Sequence, residues 1–406
     1  MKYVISRGLA FACLVLTIAW PSLADDFKSK ILREAAERNG YQLPSEVNQK
    51  FDPNKSALGK VFFESTELSF NSNTSCSSCH LDEFASADGL PIALGVGGHG
   101  KGIERIKNGG AVVPRNTLPL WGRASKDFNT FFWDGKVQGK DRKLISQFGD
   151  TLPSQDPLAV AVSLPFLEIR EMVSDDKYVQ EKLLTETTNS GEVIQKELVN
   201  RTITILKKGA AISEAYQIAP DEITFSHIAE SITHFFADKF RIKDSKFSIF
   251  MAGKSSLTQE EIDGGLIFYG KGQCASCHSG PHFSDFKFHT VVTPQFGFGK
   301  NGFGVDYGRF NTTFNSSDIH KFRTPPLHNV AKTSPYGHSG SLAQLSEIIT
   351  AHYDPLAFID TKIMDTVARR EIFDRLRNVE AQSPIPAPLT DSELRNLEAF
   401  LLTLSF

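Results

Sequence analysis

Two pentapeptides with the pattern Cys-x-x-Cys-His are the residues of this chain whose types and spacing point most directly to chemistry. They are Cys76-Ser77-Ser78-Cys79-His80 and Cys274-Ala275-Ser276-Cys277-His278. Two cysteines three positions apart lie on one helical turn, so both sulfurs can form thioether bonds to the vinyl groups of one porphyrin. The adjacent histidine then lies under the iron as its proximal ligand. The pattern predicts two covalently bound haem c groups, with His80 and His278 as iron ligands.

Other uses of a Cys-x-x-Cys pair fit this sequence less well. Two disulfides would leave both histidines without a role. A zinc site of four cysteines would need pairs about 200 residues apart to meet in space, and it would also ignore the histidines. A thioredoxin-like redox motif expects one such pair after a strand in a βαβ unit. The fifth cysteine, Cys13, lies in the N-terminal segment, so the rest of the chain has no spare thiol.

The N-terminal segment has the pattern of a secretory signal peptide. Lys2 and Arg7 are basic, residues 8–20 are apolar, and Ser22-Leu23-Ala24 offers small residues for cleavage. The apolar run is shorter than the ~20 residues that a membrane-spanning helix needs. We therefore expect cleavage after Ala24, export to the periplasm, and no membrane span in the mature protein.

The composition excludes one large class of partners. The chain has 406 residues, with 44 Lys and Arg against 47 Asp and Glu. This near-neutral balance implies no basic face for nucleic acid. The 32 phenylalanines provide apolar side chains for cores around a large ligand, and the length is that of two or three domains.

Most of the chain has the periodicity of helices. Ile228, Ile232 and Phe235 form an apolar stripe at helical spacing. Thr258 with Glu261, and Thr390 with Glu393, have the spacing of capping boxes that begin helices. Loops rich in Gly, Pro and Asn, at residues 88–118 and 279–318, lack any period, as expected of chain that wraps a cofactor.

The segments around the two haem motifs resemble each other weakly, which indicates an internal duplication. Apolar helical segments precede the motifs at residues 58–63 and 265–269. We expect a mainly α fold with two cytochrome c-like haem domains in tandem and long irregular loops. The predicted units are a signal peptide at residues 1–24, an N-terminal domain at residues 25–221 and a C-terminal domain at residues 222–406.

Further motifs, in a consistent order along the chain, resemble those of a known family. They are Arg115-Asn116, Phe132-Trp133-Asp134-Gly135, Glu171-Met172, Gly308-Arg309-Phe310 and Phe322-Arg323-Thr324-Pro325. Together with the haem motifs, they resemble the bacterial di-haem cytochrome c peroxidases and, within these, the MauG-like branch. The resemblance covers essentially the whole chain after the signal segment.

The resemblance implies a division of labour between the haems. The N-terminal haem would be the hydrogen peroxide site, and the C-terminal haem would pass electrons to it. The electrons would come from a small redox protein (a cytochrome c or a cupredoxin) or from a protein substrate, as in MauG. A di-haem cytochrome that only transfers electrons is the alternative from another class, and Glu171 and Trp133 argue against it.

The resemblance also implies roles for individual side chains near the N-terminal haem. Glu171 would be the acid–base residue that moves a proton between the two oxygens of peroxide, with Glu168 as the neighbouring carboxylate. The family's distal glutamine falls where this chain has Lys143, and Gln147 is the nearest substitute. Trp133 would relay electrons between the haems, although a tryptophan also serves as ordinary core packing.

Two more sites are implied by position in the family. Asn116, Thr333 and Pro335 match an inter-haem calcium site, in which one side-chain amide and two backbone carbonyls are hard oxygen ligands. His99 falls where the peroxidases have a removable histidine ligand of the N-terminal iron, a position that MauG-like members leave open. The other interpretation of His99 is an exposed histidine in a flexible loop.

The second ligand of the C-terminal iron has two candidates. The family uses Met or Tyr there, and no Met occurs between Met251 and Met364. His352 and Tyr353 lie about 100° apart on a helix, so only one of them can face the iron. The apolar spacing of the helix favours His352, whereas the His-Tyr dipeptide of MauG-like relatives selects Tyr353.

Overall fold

A computed structural model describes residues 23–140, 143–148, 152–174, 190–300, 304–380 and 387–406. The predicted signal peptide, including Cys13, lies outside the described residues except for Leu23 and Ala24, which begin the first helix. Within the described ranges, no helix is both long enough and apolar enough to cross a membrane.

The protein is mainly α-helical, as the sequence predicts. The helices are α1 Leu23–Arg38, α2 Pro44–Val47, α3 Pro53–Glu64, α4 Glu104–Lys107, α5 Pro157–Ser163, α6 Ser190–Thr204, α7 Gly209–Tyr216, α8 Phe225–Lys239, α9 Lys246–Met251, α10 Gln259–Tyr269, α11 Phe310–Thr313, α12 Leu345–Tyr353, α13 Thr366–Glu380 and α14 Asp391–Leu402. Both predicted capping boxes are confirmed, since Thr258 begins α10 with Glu261 and Thr390 begins α14 with Glu393.

The strands are short and pair locally. They are β1 Ala93–Leu94, β2 Val112–Val113, β3 Thr130–Phe131, β4 Val137–Lys140, β5 Lys143–Ser146, β6 Phe288–His289 and β7 Phe322–Arg323. β1 pairs with β2, β3 to β5 form a three-stranded antiparallel sheet, and β6 pairs with β7. These ladders fix the ends of long loops, which otherwise follow irregular paths between the helices.

The first hydrophobic cluster is built where α3 crosses α8. Gly59 of α3 makes this crossing close, because a Cβ at this position would lie 2.0 Å from the backbone oxygen of Ser231. Phe62, Ile228 and Ile232 are fully buried at the interface. This cluster lies beside the first haem-attachment segment, since Cys76 packs against it.

The second cluster has the same design around α10 and α14. A Cβ at Gly264 of α10 would lie 1.8 Å from the backbone oxygen of Asn396. Phe268 and Phe400 pack together across the crossing, with ring centroids 5.2 Å apart. Cys274 packs against this cluster, so each haem-attachment segment has its own helix pair and its own core.

The two clusters do not divide the chain at one position. Leu32 of α1 is buried in the second cluster, although α1 precedes the first haem segment. Helix α8, which follows Asp221, packs in the first cluster. Each cluster therefore contains residues from both sides of the predicted boundary near Asp221, and the boundary itself stays a prediction.

Arg115 joins the two halves of the protein. Its Nη1 lies 2.7 Å from Asp134 Oδ2, and its Nε lies 2.8 Å from Asp306 Oδ2. The three side chains are 9% exposed or less. Burial alone would raise the pKa of Asp306, but Arg115 outweighs burial and holds this pKa at about 2. The halves are therefore linked by a fully ionised, buried triad.

The glycine at the α10–α14 crossing generates a prediction about stability. Gly264→Ala should destabilise the protein by about 1–3 kcal/mol or more, because the new methyl group collides with backbone that cannot rotate away. Urea denaturation of the haem-loaded protein measures the change. Gly304→Ala is the control, because no atom of the described residues lies within 4 Å of a Cβ at that position. Equal stability of the two variants would contradict the account of the crossing.

Candidate functional site

The two Cys-x-x-Cys-His segments have the same local structure. Residues Cys76–Ser78 and Cys274–Ser276 each form a 3-10 turn. The amide of His80 donates to the Cys76 oxygen at 2.9 Å, and the amide of His278 donates to the Cys274 oxygen at 2.8 Å. None of the four thiols forms a disulfide. Among the described residues, the two cysteine pairs do not come together in one group that could hold a metal ion. The geometry therefore suits thioether attachment rather than a disulfide or a shared zinc ion.

The two histidines predicted to be proximal ligands, His80 and His278, are held in an orientation that suits an iron ligand. Nδ1 of His80 donates to the Ser86 oxygen at 2.7 Å, and Nδ1 of His278 donates to the Phe283 oxygen at 2.9 Å. Each bond leaves Nε2 with its lone pair free for a metal. Burial lowers the pKa of both imidazoles to about 4, so each is neutral at pH 7 and ready to coordinate.

Two buried arginines that lie over the ring of Phe128 in the first cluster also fit bound haem. Arg123 and Arg323 are buried, and burial lowers the pKa of both side chains. Nη2 of Arg323 has no hydrogen-bond partner among the described residues. Because a buried guanidinium without a carboxylate is costly, the carboxylates of haem propionates are the partners that these side chains suit.

His352 lies exposed at the end of α12, and it shares with His80 and His278 a hydrogen bond from Nδ1 to a backbone oxygen. Its Nδ1 donates to the Ile348 oxygen at 2.7 Å, which leaves Nε2 free. Burial is the largest cause that lowers the pKa of His278, and the charge of His352 is the second largest. The two imidazoles are therefore neighbours. The hydroxyl of Tyr353 lies instead 3.2 Å from Thr350 Oγ1 on its own helix. This placement supports His352, and the assignment stays a prediction.

Glu171 lies near the first haem segment. Its charge is one of the causes, after burial, that raise the pKa of the Cys76 and Cys79 thiols to about 12. Burial raises the pKa of Glu171 itself to about 7, with Glu168 adding to the shift and Lys136 opposing it. A carboxyl with this pKa can both accept and release a proton near neutral pH.

Glu168 is in a different state. Its Oε1 forms an ion pair with Nζ of Lys136. Burial opposes ionisation of Glu168, but Lys136 and Lys300 outweigh burial and lower its pKa. Glu168 is therefore a paired anion, whereas Glu171 is the carboxyl that can exchange a proton.

Arg105 shapes the loop that covers Glu171, and sequence reasoning assigned it no role. Its guanidinium donates to the Leu94 oxygen at 2.6 Å, to Thr74 Oγ1 at 2.8 Å and to the oxygen of Gly95. Gly95 lies against the backbone of Arg170, where a Cβ would be 1.8 Å from the oxygen. The only sequence signal was an isolated arginine in a glycine-rich segment, which does not specify these partners.

The structure places two other predicted residues at the surface. His99 is exposed beyond the loop that Arg105 organises, and its carbonyl accepts a bond from Asn108 Nδ2 at 3.0 Å. Gln147 is exposed in the turn after β5, as is Lys143 within that strand. His99 and Gln147 are exposed, whereas Glu171 is half-buried. The roles of His99 and Gln147 stay predictions.

Two of the three residues predicted to hold calcium, Asn116 and Pro335, contact each other across the two halves. The side-chain amide of Asn116 lies 2.5 Å from the Pro335 oxygen, and Thr333 is two residues before Pro335. A 180° rotation of that amide would turn its oxygen toward the carbonyl, so that both could face a cation. Nε1 of Trp133 donates to the backbone oxygen of Asn116 at 2.9 Å, which places the predicted relay beside this site.

Two haem-attachment turns on one mainly helical chain define a c-type cytochrome with two haem sites. The family model described as di-haem cytochrome c peroxidase matches residues 53–256. The chain belongs to this family, and it is a haem-dependent oxidoreductase with two haem c groups. The prediction of the family and of the enzyme class is therefore confirmed.

Individual relatives agree with this assignment. The cytochrome c551 peroxidase of Pseudomonas aeruginosa is 26% identical over 352 residues, which cover 85% of this chain and 84% of the relative. The methylamine utilization protein MauG of Methylorubrum extorquens is 23% identical over 398 residues, 95% of each chain. The crystal structure of the di-haem peroxidase BthA from Burkholderia thailandensis has a similar fold, with a TM-score of 0.61 at 21% identity over 90% of this chain and 89% of that chain.

The position of His352 generates a prediction about the second iron. His352→Ala should free a coordination position on the C-terminal haem and remove its low-spin signal in electron paramagnetic resonance. Tyr353→Phe is the matched control and should leave the signal unchanged, because the hydroxyl of Tyr353 forms its hydrogen bond with Thr350 on the same helix. Loss of the low-spin signal in Tyr353→Phe, with His352→Ala unaffected, would identify tyrosine as the ligand.

Proposed function

We propose that this protein reduces hydrogen peroxide at the N-terminal haem and draws the electrons through the C-terminal haem. The observation that carries the proposal is Glu171, a half-buried carboxyl beside the first haem segment with a pKa of about 7. The proposal includes two cytochrome c-like units, residues 25–221 and 222–406, which exchange α1 and α8 between their cores. It also includes export to the periplasm after loss of residues 1–24.

The chain's own residues supply the proton steps. Bound haem would supply an iron that binds peroxide and exchanges electrons, with His80 holding the N-terminal iron. Ionised Glu171 accepts a proton from one oxygen of the peroxide. Protonated Glu171 then returns this proton to the other oxygen, which leaves as water. Glu168 stays paired with Lys136 and does not compete for that proton. Reduction of one peroxide to two waters consumes two electrons and two protons in all.

Trp133 is the residue proposed to connect the two haem sites. Its Nε1 is bonded to Asn116, and its carbonyl accepts the amide of Arg323 from the C-terminal half at 2.8 Å. Its ring meets that of Phe322 edge-on, with centroids 6.5 Å apart. Contacts on both sides hold the indole in one position, as a relay requires. A calcium ion held by Asn116, Thr333 and Pro335 would fix the same junction.

The source of the electrons depends on the branch of the family to which the protein belongs. A small cytochrome c or a cupredoxin would make the protein a peroxidase, and a protein substrate would make it a tailoring oxidase of the MauG type. The absence of Met between Met251 and Met364 favours the second branch, because no Met can then come from α12 to ligate the C-terminal iron. His352 takes that place in the proposal.

Replacement of the proton-exchanging carboxyl tests the proposal. Glu171→Gln should keep both haems and slow the reaction with peroxide by about 10²-fold or more, the usual scale for a lost acid–base group. In the unaltered protein the rate should rise as the pH increases through about 7, because ionisation of Glu171 provides the base, and the variant should lack this rise. Stopped-flow absorption of the haem measures both effects.

Glu168→Gln is the matched control for this substitution. It removes an equivalent carboxylate three residues away that is paired with Lys136. It should slow the reaction much less than Glu171→Gln does. A large loss in Glu168→Gln, with Glu171→Gln close to the unaltered protein, would show that the proposal assigns the wrong carboxyl.

A further inference from the structure

A network of ionised side chains connects the junction of the two halves to Glu171. It begins at Arg115, which bonds Asp134 and Asp306. The backbone amide of Lys300 approaches Asp306 Oδ2 at 3.4 Å, which ties the Lys300 segment to this triad. The network therefore starts in the buried centre of the protein and extends toward the surface.

The outer part of the network lies beside the proton-exchanging carboxyl. Nζ of Lys300 lies 3.8 Å from Asp134 Oδ2 and 3.9 Å from Glu168 Oε1. Lys136 forms the close ion pair with the same oxygen of Glu168. Lys300, whose side chain is 34% exposed, therefore bridges the fully buried Asp134 (0% exposed) and the partly exposed Glu168 (25%).

The charges of this network balance without Glu171. The cations are Arg115, Lys136 and Lys300, and the anions are Asp134, Asp306 and Glu168. Glu171 is thus a fourth carboxyl facing three cations that already neutralise three carboxylates. Burial is the largest cause that raises the pKa of Glu171, and the negative charge of Glu168 adds to it, whereas Lys136 and Lys300 oppose it, so Glu171 can be protonated near neutral pH.

Glu171 also faces other elements, and their charged groups are few. The haem-attachment turn presents Cys76 and Cys79, which are uncharged once they form thioethers. The loop at residues 94–98 presents no charged side chain, and Arg105 behind it is bonded to backbone oxygens. The guanidinium of Arg170 lies over the ring of Phe298. Burial contributes most to the raised pKa of Glu171, and Lys136, Glu168 and Lys300 are the charged groups that modify it.

We propose that Lys300 is a positioning residue through which the C-terminal half sets the protonation equilibrium of Glu171. Lys300 belongs to the segment that follows β6 and is tied to Asp306, whereas Glu171, Glu168 and Lys136 belong to the N-terminal half. A displacement of the C-terminal segment would withdraw one cation and favour the protonated form of Glu171. The inference rests on the proposed acid–base role of Glu171 for its meaning in catalysis, but its test does not depend on catalysis.

Infrared difference spectroscopy measures the protonation of Glu171 directly in the haem-loaded protein. The carboxyl band is assigned by its absence in Glu171→Gln, and its pH midpoint is then compared among variants. Lys300→Met should raise the midpoint by about one pKa unit, which is a tenfold change in the ratio of the two forms. Glu168→Gln should lower the midpoint, because it removes the neighbouring negative charge.

Lys321→Met is the matched control, because Lys321 is also an ammonium 3.9 Å from a carboxylate oxygen, that of Asp318. It should leave the midpoint unchanged. An unchanged midpoint in Lys300→Met, or an equal shift in Lys321→Met, would overturn the inference. Normal reaction of Glu171→Gln with peroxide would instead overturn the proposed function, so the two failures are distinguishable.

Discussion

The burial of Arg115 between two carboxylates is the interaction on which the rest of the structure depends. Asp134 comes from the motif of the N-terminal half that contains Trp133, and Asp306 comes from a loop of the C-terminal half. Loss of one member of a buried ion set leaves an uncompensated charge, which costs about 3–5 kcal/mol. The triad is thus satisfied only when the two halves meet in this one arrangement.

The backbone around Arg115 extends this constraint to the neighbouring residues. Arg115 has a φ of +86°, in the left-handed region that only a few per cent of non-glycine residues adopt. This conformation accompanies a backbone bond from Asn116 to the His338 oxygen at 2.8 Å. The carbonyl of Asn116 then receives the indole of Trp133. The dipeptide Arg115-Asn116 therefore fixes the junction of the two halves, the proposed relay Trp133 and the proposed calcium ligands.

The same constraint reaches the proposed chemistry through Lys300. The N-terminal half contains the first haem segment, Glu171 and Glu168, and the C-terminal half contributes a cation to their surroundings. An enzyme that accepts electrons at one haem and reduces peroxide at the other needs its two halves in a fixed arrangement. A shared ion network helps to hold the two halves of the chain in that arrangement through their side chains.

The sequence predicts the local features of this protein well. The haem-attachment turns and the capping boxes of α10 and α14 rest on short spacings, and the described geometry agrees with both. The choice of Glu171 over Glu168 rests on motif order and stays a prediction. Asn116 and Pro335 were paired by resemblance to the family, and the structure brings them within 2.5 Å. These features are encoded by neighbouring residues or by motifs that keep their order.

The features that sequence reasoning missed depend on contacts between distant segments. The packing of Leu32 with the second cluster and of α8 with the first requires chain crossings that have no local signal. Asp306, Lys300 and Arg105 gain their roles only from the side chains or carbonyls that surround them in space. A carboxylate or a lysine in an irregular loop has many possible environments, and only the fold selects one.

Selective removal of the C-terminal haem tests the central claim most directly, that peroxide reacts at one haem and electrons enter at the other. The double substitution Cys274→Ala and Cys277→Ala should leave one covalent haem, attached beside His80. The account predicts that this variant still reacts once with hydrogen peroxide but no longer oxidises a reduced small cytochrome c in repeated turnover. Sustained turnover at the rate of the unaltered protein would contradict the account.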